Sequence, residues 1–116
     1  MLSLVLNSKK LRIKIVRQTN TNIIMPKYLI EIPHAAEKIA CLRSVEILLS
    51  SGSHFLTNAD WGCMDGVHKA WFFMEAENKN EALMVVPPAY RNDTKIFQLN
   101  KFKLEDVKEL LSHHGS

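Results

Sequence analysis

Cysteine, glycine and proline are all scarce in this chain, and each shortage narrows the architecture. Two cysteines among 116 residues, Cys41 and Cys63, are too few and too widely spaced for a disulfide framework or a Cys-rich zinc module. Both read as reduced thiols, the pattern of a cytoplasmic protein. Four glycines and four prolines leave no room for a low-complexity tract, and no internal repeat is present. No apolar run approaches the length needed to span a bilayer, so a soluble protein with no membrane partner is expected.

Acidic residues are missing altogether from residues 1–24, which carry five cations: Lys9, Lys10, Arg12, Lys14 and Arg17. The net charge of +3 is therefore a property of that segment. Without it, ten Lys and Arg face twelve Asp and Glu, so residues 25–116 carry −2. A nucleic-acid surface needs positive charge on the folded body, and this body is mildly acidic. No nucleic-acid partner is expected.

What is present is hydrophobic content of 47%, enough for one real core in one domain. Met25-Pro-Lys-Tyr28 reads as a natural start, and residues 1–24 read as an extension outside the fold. Two alternatives stay open. Leu11–Val16 alternates well enough for an added edge strand, and the segment could serve targeting. Leu2–Leu6 is nevertheless too short for a secretory core and lacks a small-residue cleavage site, and a transit peptide would be richer in Arg and Ser.

From Met25 on, the pattern is β-α-β-β-α-β-α. Lys27–Pro33 is rich in β-formers and stops at a proline. Ala35–Ser50 reads as a helix whose inward stripe is Ile39, Leu42, Val45 or Glu46, and Leu49. His54–Met64 and Val67–Glu77 read as a hairpin closed by Asp65-Gly66, a dipeptide that suits a type I′ turn. Asn78–Val86 is a short helix stopped by Pro87-Pro88. Thr94–Leu99 is a fourth strand. Leu104–His113 is a terminal helix with Leu104, Val107, Leu110 and Leu111 on one side. Right-handed crossovers then give an α+β, ferredoxin-like βαββαβ sandwich with sheet order 4-1-3-2 and an added C-terminal helix. Trp71 and Phe73 would lie on the sheet face that the helices leave bare. A second subunit packed there would give a homodimer, a dimeric α/β barrel with a cavity between the sheets.

Two constellations could carry chemistry. In the expected register Cys63 opposes His68 on one face. His34 follows the first strand, at the same edge of the sheet, and Asp60 or Asp93 would be near. Imidazole and thiolate together suit zinc, nickel or copper, so His34, Cys63 and His68 are candidate metal ligands with one coordination position open. The same residues could instead form a Cys–His nucleophile pair. Their bland readings are a small buried hydrophobe for Cys63, a solvated side chain for His68 and a helix cap for His34. On the other hairpin face, Asp60, Lys69 and Trp71 would line a dimer cavity as a ligand clamp, with Asp60 or His68 a candidate catalytic base. Their bland reading is a surface salt bridge beside an interface aromatic.

Met25–Glu31 with Pro33-His34, Asp60-Trp-Gly-Cys-Met-Asp-Gly66 with His68 and Trp71, and Leu99-Asn-Lys-Phe102 carry a resemblance across Met25–His114. The chain resembles small uncharacterised prokaryotic proteins of the dimeric α/β-barrel, ferredoxin-like type. More distantly it is similar to a ferredoxin-like nickel-binding family. The resemblance implies the fold and the dimer, adds weight to a metal, and implies no activity. Function is therefore open among a homodimer binding a small ligand or metal, a cofactor-free enzyme acting on a small aromatic or carbonyl compound, and an interaction module.

Overall fold

The computed structural model describes residues 25–114. The N-terminal extension, including the strand considered for Leu11–Val16, lies outside the described residues. Strand β1 (Lys27–Pro33) alternates strictly. Tyr28, Ile30 and Ile32 are buried, whereas Lys27, Leu29 and Glu31 face the other way. The period of two in the sequence becomes one dry and one open face.

Helix α1 (Lys38–Leu49) is capped by the Glu37 carboxylate, which accepts from the backbone N–H groups of Ile39 and Ala40. It turns a different side inward from the one its apolar spacing indicates. Cys41, Ser44 and Leu48 are buried, while Ile39, Leu42 and Leu49 are exposed. Two stripes of this helix share helical spacing, and the larger one lost. Ser44 tolerates burial because the Tyr90 hydroxyl lies 3.0 Å from its Oγ, within hydrogen-bond reach. A polar residue in the middle of a stripe disguised it as the outer face.

The second expected strand also needs correction. His54–Thr57 forms one helical turn, α2, capped by Ser53, and its Leu56 is fully buried. Only Asp60–Trp61 pairs as β2. A 3₁₀ turn at Cys63–Asp65 follows, and β3 runs over Lys69–Glu75. The pairing Asp60↔Trp71 and Trp61↔Ala70 keeps the expected register, but the ladder stops early, and the connection is wider than the two-residue turn. Asp65 is helical, and Gly66 alone takes the left-handed conformation, at φ 77°. Gly62 makes the wider loop possible. Its N–H donates to Lys69 at 3.1 Å, and its carbonyl accepts from Asp65 at 3.0 Å and Val67 at 2.9 Å. A Cβ at Gly62 would sit 2.7 Å from the Val67 carbonyl oxygen and 3.0 Å from the Trp71 ring.

The chain then forms helix α3 (Lys79–Leu83), a 3₁₀ turn at Pro88–Tyr90, strand β4 (Lys95–Leu99) and helix α4 (Leu104–His113). The strands make a four-stranded sheet in the order β2-β3-β1-β4, with each paired neighbour antiparallel. The result is a mixed α+β fold in which α1, α2 and α3 cover one face of the sheet. Ile30, Ile32, Leu48, Leu56 and Val86 are fully buried between the two layers, each contributing roughly 1.5–3 kcal/mol of burial. No helix among the described residues is long and apolar enough to cross a membrane.

Candidate metal centre

Two short chain segments meet at one end of the sheet, and each contributes a histidine and a cysteine. The first is the β1–α1 junction. His34 follows Pro33, and its backbone N–H donates to the His68 carbonyl at 3.0 Å, which extends the β1–β3 pairing by one residue. Cys41 lies in the first turn of α1, turned inward with Ser44 and Leu48. The second segment is the β2–β3 connection, where Cys63 opens the 3₁₀ turn and His68 immediately precedes β3.

The four donors are close. His34 Nε2 lies 3.1 Å from Cys63 Sγ and 3.3 Å from Cys41 Sγ. The two sulfurs are 3.6 Å apart, and both cysteines are free thiols. One ligand atom from each of His34, Cys41, Cys63 and His68 falls within 4.8 Å of all the others. Cys41 is buried and the other three are half-buried. The His34 ring is held edge-on by Trp61 and by His68, each with its centroid 5.5 Å away.

Without a metal the site favours uncharged side chains, which is the ligating form of an imidazole but not of a thiol. Burial holds the His34 imidazole below its ordinary value, nearby His68 pushes the same way, and the backbone of Ile32 works against both. Burial pushes the Cys63 thiol up, helped by the neighbouring Cys41 thiol. The buried Nδ1 atoms of His34 and His68 have no partner at hydrogen-bond geometry. The nitrogen of His34 that faces both thiols is Nε2, so its Nδ1 lies on the far side of the ring from them.

Compared with protein-family models, curated proteins and solved structures, the chain matches none.

The structure brings His34, Cys63 and His68 together and adds Cys41, which the sequence reading left out. The available signal was the alternative helical stripe Cys41-Ser44-Leu48, which starts seven residues after His34. Asp60 and Asp93 are both exposed and stand outside the group.

On the open face, Asp60 does oppose Trp71 in register. The carboxylate that serves the face, however, is Glu31. It accepts from Trp71 Nε1 at 3.1 Å and from Lys69 Nζ at 3.3 Å. The Trp71 hydrogen bond, then Lys69, holds the Glu31 carboxyl below its usual range against the effect of burial. The expected clamp of Asp60, Lys69 and Trp71 is thus organised by a residue of the central strand, and Lys69 and Trp71 are already partnered. A separate open cleft of about 330 Å³, lined by Lys27, Leu99, Asn100 and Lys101, lies at the other end of β1.

Proposed function

We propose that this protein binds a transition metal ion through His34, Cys41, Cys63 and His68, with zinc the ion best suited to the donors. The observation that carries this reading is the mutual proximity of two thiols and two imidazoles drawn from separate elements. Tetrahedral zinc holds nitrogen at about 2.1 Å and sulfur at about 2.3 Å, which places neighbouring donors about 3.3–3.8 Å apart. The separations of 3.1, 3.3 and 3.6 Å among His34, Cys41 and Cys63 need only small adjustments to reach that geometry, and His68, whose ligand atom lies within 4.8 Å of the others, would close in to complete it. Four protein ligands complete a tetrahedron, so the site is closed, as in structural or metal-holding sites, and not open for catalysis. Binding would draw protons from both thiols, so affinity should fall as pH falls. Nickel is the competing ion, because the same donors suit it.

The fold reading that goes with this function is a ferredoxin-like βαββαβ sandwich, supported by the antiparallel order β2-β3-β1-β4. The other chemistry open to the group is a thiol nucleophile, with His34 as base 3.1 Å from Cys63. The upward push on the Cys63 thiol counts against it, since reactive cysteines are held low.

Elemental analysis of the purified full chain should find one zinc or nickel per protomer. Competition with a chromophoric chelator should show that Cys41→Ser and Cys63→Ser each weaken binding by about 100-fold or more, beyond the 10–100-fold typical of outer-shell changes. Cobalt(II) should give the intense visible bands of a tetrahedral thiolate site. Metal-free protein whose zinc and nickel affinities neither substitution alters would falsify the proposal.

A further inference from the structure

The two sulfurs of the histidine–cysteine group are also placed to react with each other. Cys41 on α1 and Cys63 in the 3₁₀ turn after β2 are 22 positions apart in the chain, yet their Sγ atoms are 3.6 Å apart. A disulfide bond is about 2.0 Å long, so the sulfurs must close by about 1.5 Å. Rotation of one side chain about its Cα–Cβ bond covers that distance.

The surroundings of the two thiols differ. Cys41 is buried on the inner stripe of α1, with 6% exposure. Cys63 is half-buried, and Met64, the next residue of its turn, is fully exposed. An oxidant arriving from solvent meets Cys63 first, with Cys41 behind it as the resolving thiol.

We propose that Cys41 and Cys63 form a redox switch in which a hydroperoxide converts the two thiols to a disulfide and so expels the metal. The release rests on the metal-binding reading above, whereas the pairing of the sulfurs does not. In the first step the Cys63 sulfur attacks one oxygen of the hydroperoxide. An S–O bond forms, the O–O bond breaks, and the leaving oxygen takes the thiol proton and departs as an alcohol, or as water from hydrogen peroxide. Cys63, oxidised by two electrons, is then a sulfenic acid. In the second step the Cys41 sulfur attacks the Cys63 sulfur. An S–S bond forms, the S–O bond breaks, and hydroxide leaves with the Cys41 proton as water. In the metal-loaded protein both thiols have already lost their protons to solvent, and solvent returns the two that the products need. Burial holds the Cys63 thiol up, which slows the first step. The neighbouring sulfur speeds the second, so the sulfenic acid does not accumulate. A disulfide offers no thiolate, and the metal keeps only His34 and His68 of its four ligands.

Treating the purified full chain with hydrogen peroxide tests both halves. Metal-free protein should lose two thiols together and give a Cys41–Cys63 cross-link within one chain, mapped by mass spectrometry of unreduced peptides and reversed by dithiothreitol. The oxidised form should unfold at higher urea than the reduced form, because the cross-link constrains the unfolded chain. Zinc-loaded protein should release one zinc per disulfide to a chromophoric chelator, and the oxidised form should bind zinc about 100-fold more weakly or worse. Cys41→Ser should leave a Cys63 sulfenic acid that dimedone traps, while the wild type gives no adduct. Thiols that oxidise singly or between chains would overturn the pairing whatever the zinc affinity, and so would a disulfide that lowers the urea midpoint. A disulfide that forms while zinc stays bound would overturn the release. A reduced chain that binds no zinc yet forms the disulfide would refute the metal site, and the release with it, while upholding the pairing.

Discussion

The two faces of the sheet treat their polar groups in opposite ways. On the open face, the Glu31 carboxylate is partnered by Trp71 and Lys69 and needs nothing from outside. At the end of the covered face, His34 and His68 keep buried nitrogens without partners beside two free thiols. A satisfied network holds structure together, whereas closely grouped thiol and imidazole donors with no charge partner keep their ligating atoms free. The histidine–cysteine end is the one whose donors are grouped closely enough to hold a metal, whereas the Glu31 cluster is complete in itself. The contrast reverses the weight that paired acid, amine and indole side chains would carry if taken by residue type alone.

The most forceful way to break that contrast is to disturb the layer beneath the thiols. Leu48 is fully buried on the stripe of α1 that carries Cys41. Leu48→Ala should cost about 3 kcal/mol, while Leu42→Ala on the outer stripe should stay within about 0.5 kcal/mol. Urea unfolding of the metal-free proteins measures both, and equal losses would refute the assignment of the inner stripe. Gly62→Ala comes next. Its new Cβ would press on the Val67 carbonyl and the Trp71 ring, so a loss of about 1–3 kcal/mol is expected. Because Cys63 is the next residue, zinc affinity should weaken with it. A variant with unchanged stability and affinity would show that the loop does not depend on this close approach.

The smallest effect belongs to the open face. Glu31→Gln should cost about 1 kcal/mol near pH 7, the scale of a charge-assisted hydrogen bond discounted for partial exposure. Folding lowers the Glu31 pKa, so its contribution is fully present above the ordinary value of 4.5. It is lost as pH falls from there through the lowered value in the folded protein. The variant should therefore show a shallower loss of stability in acid than the wild type, with unchanged metal content. A fall in bound metal would mean that the two faces are not separate in function.

How much of this was legible beforehand differs by element. Lys27–Pro33 and Leu104–His113 have the bounds that their patterns indicate, because a strand ended by proline and an amphipathic helix are both local signals. The hairpin register was equally legible, since period-two alternation fixes which residues share a face. The second strand was not. Ser53 capping a helical turn and the close packing of Gly62 both competed with β-propensity, and burial of Leu56 favours the turn.

Cys41 was hidden for a related reason. Helical spacing defines candidate stripes but does not choose between two of them. The choice here rests on the Tyr90 hydroxyl satisfying Ser44 from 46 positions away, a contact that local sequence does not encode.

By itself, the sequence determined periodicity: where strands alternate, where helices are two-sided, and that one imidazole and one thiol share an edge of the hairpin. These follow from bond geometry repeated residue by residue, so a short window suffices. Only the tertiary structure decided which side of α1 turns inward, and with it that the second thiol joins the first. That decision depends on volumes and polar atoms meeting across the whole core, where a buried group is admitted only if a distant partner satisfies it.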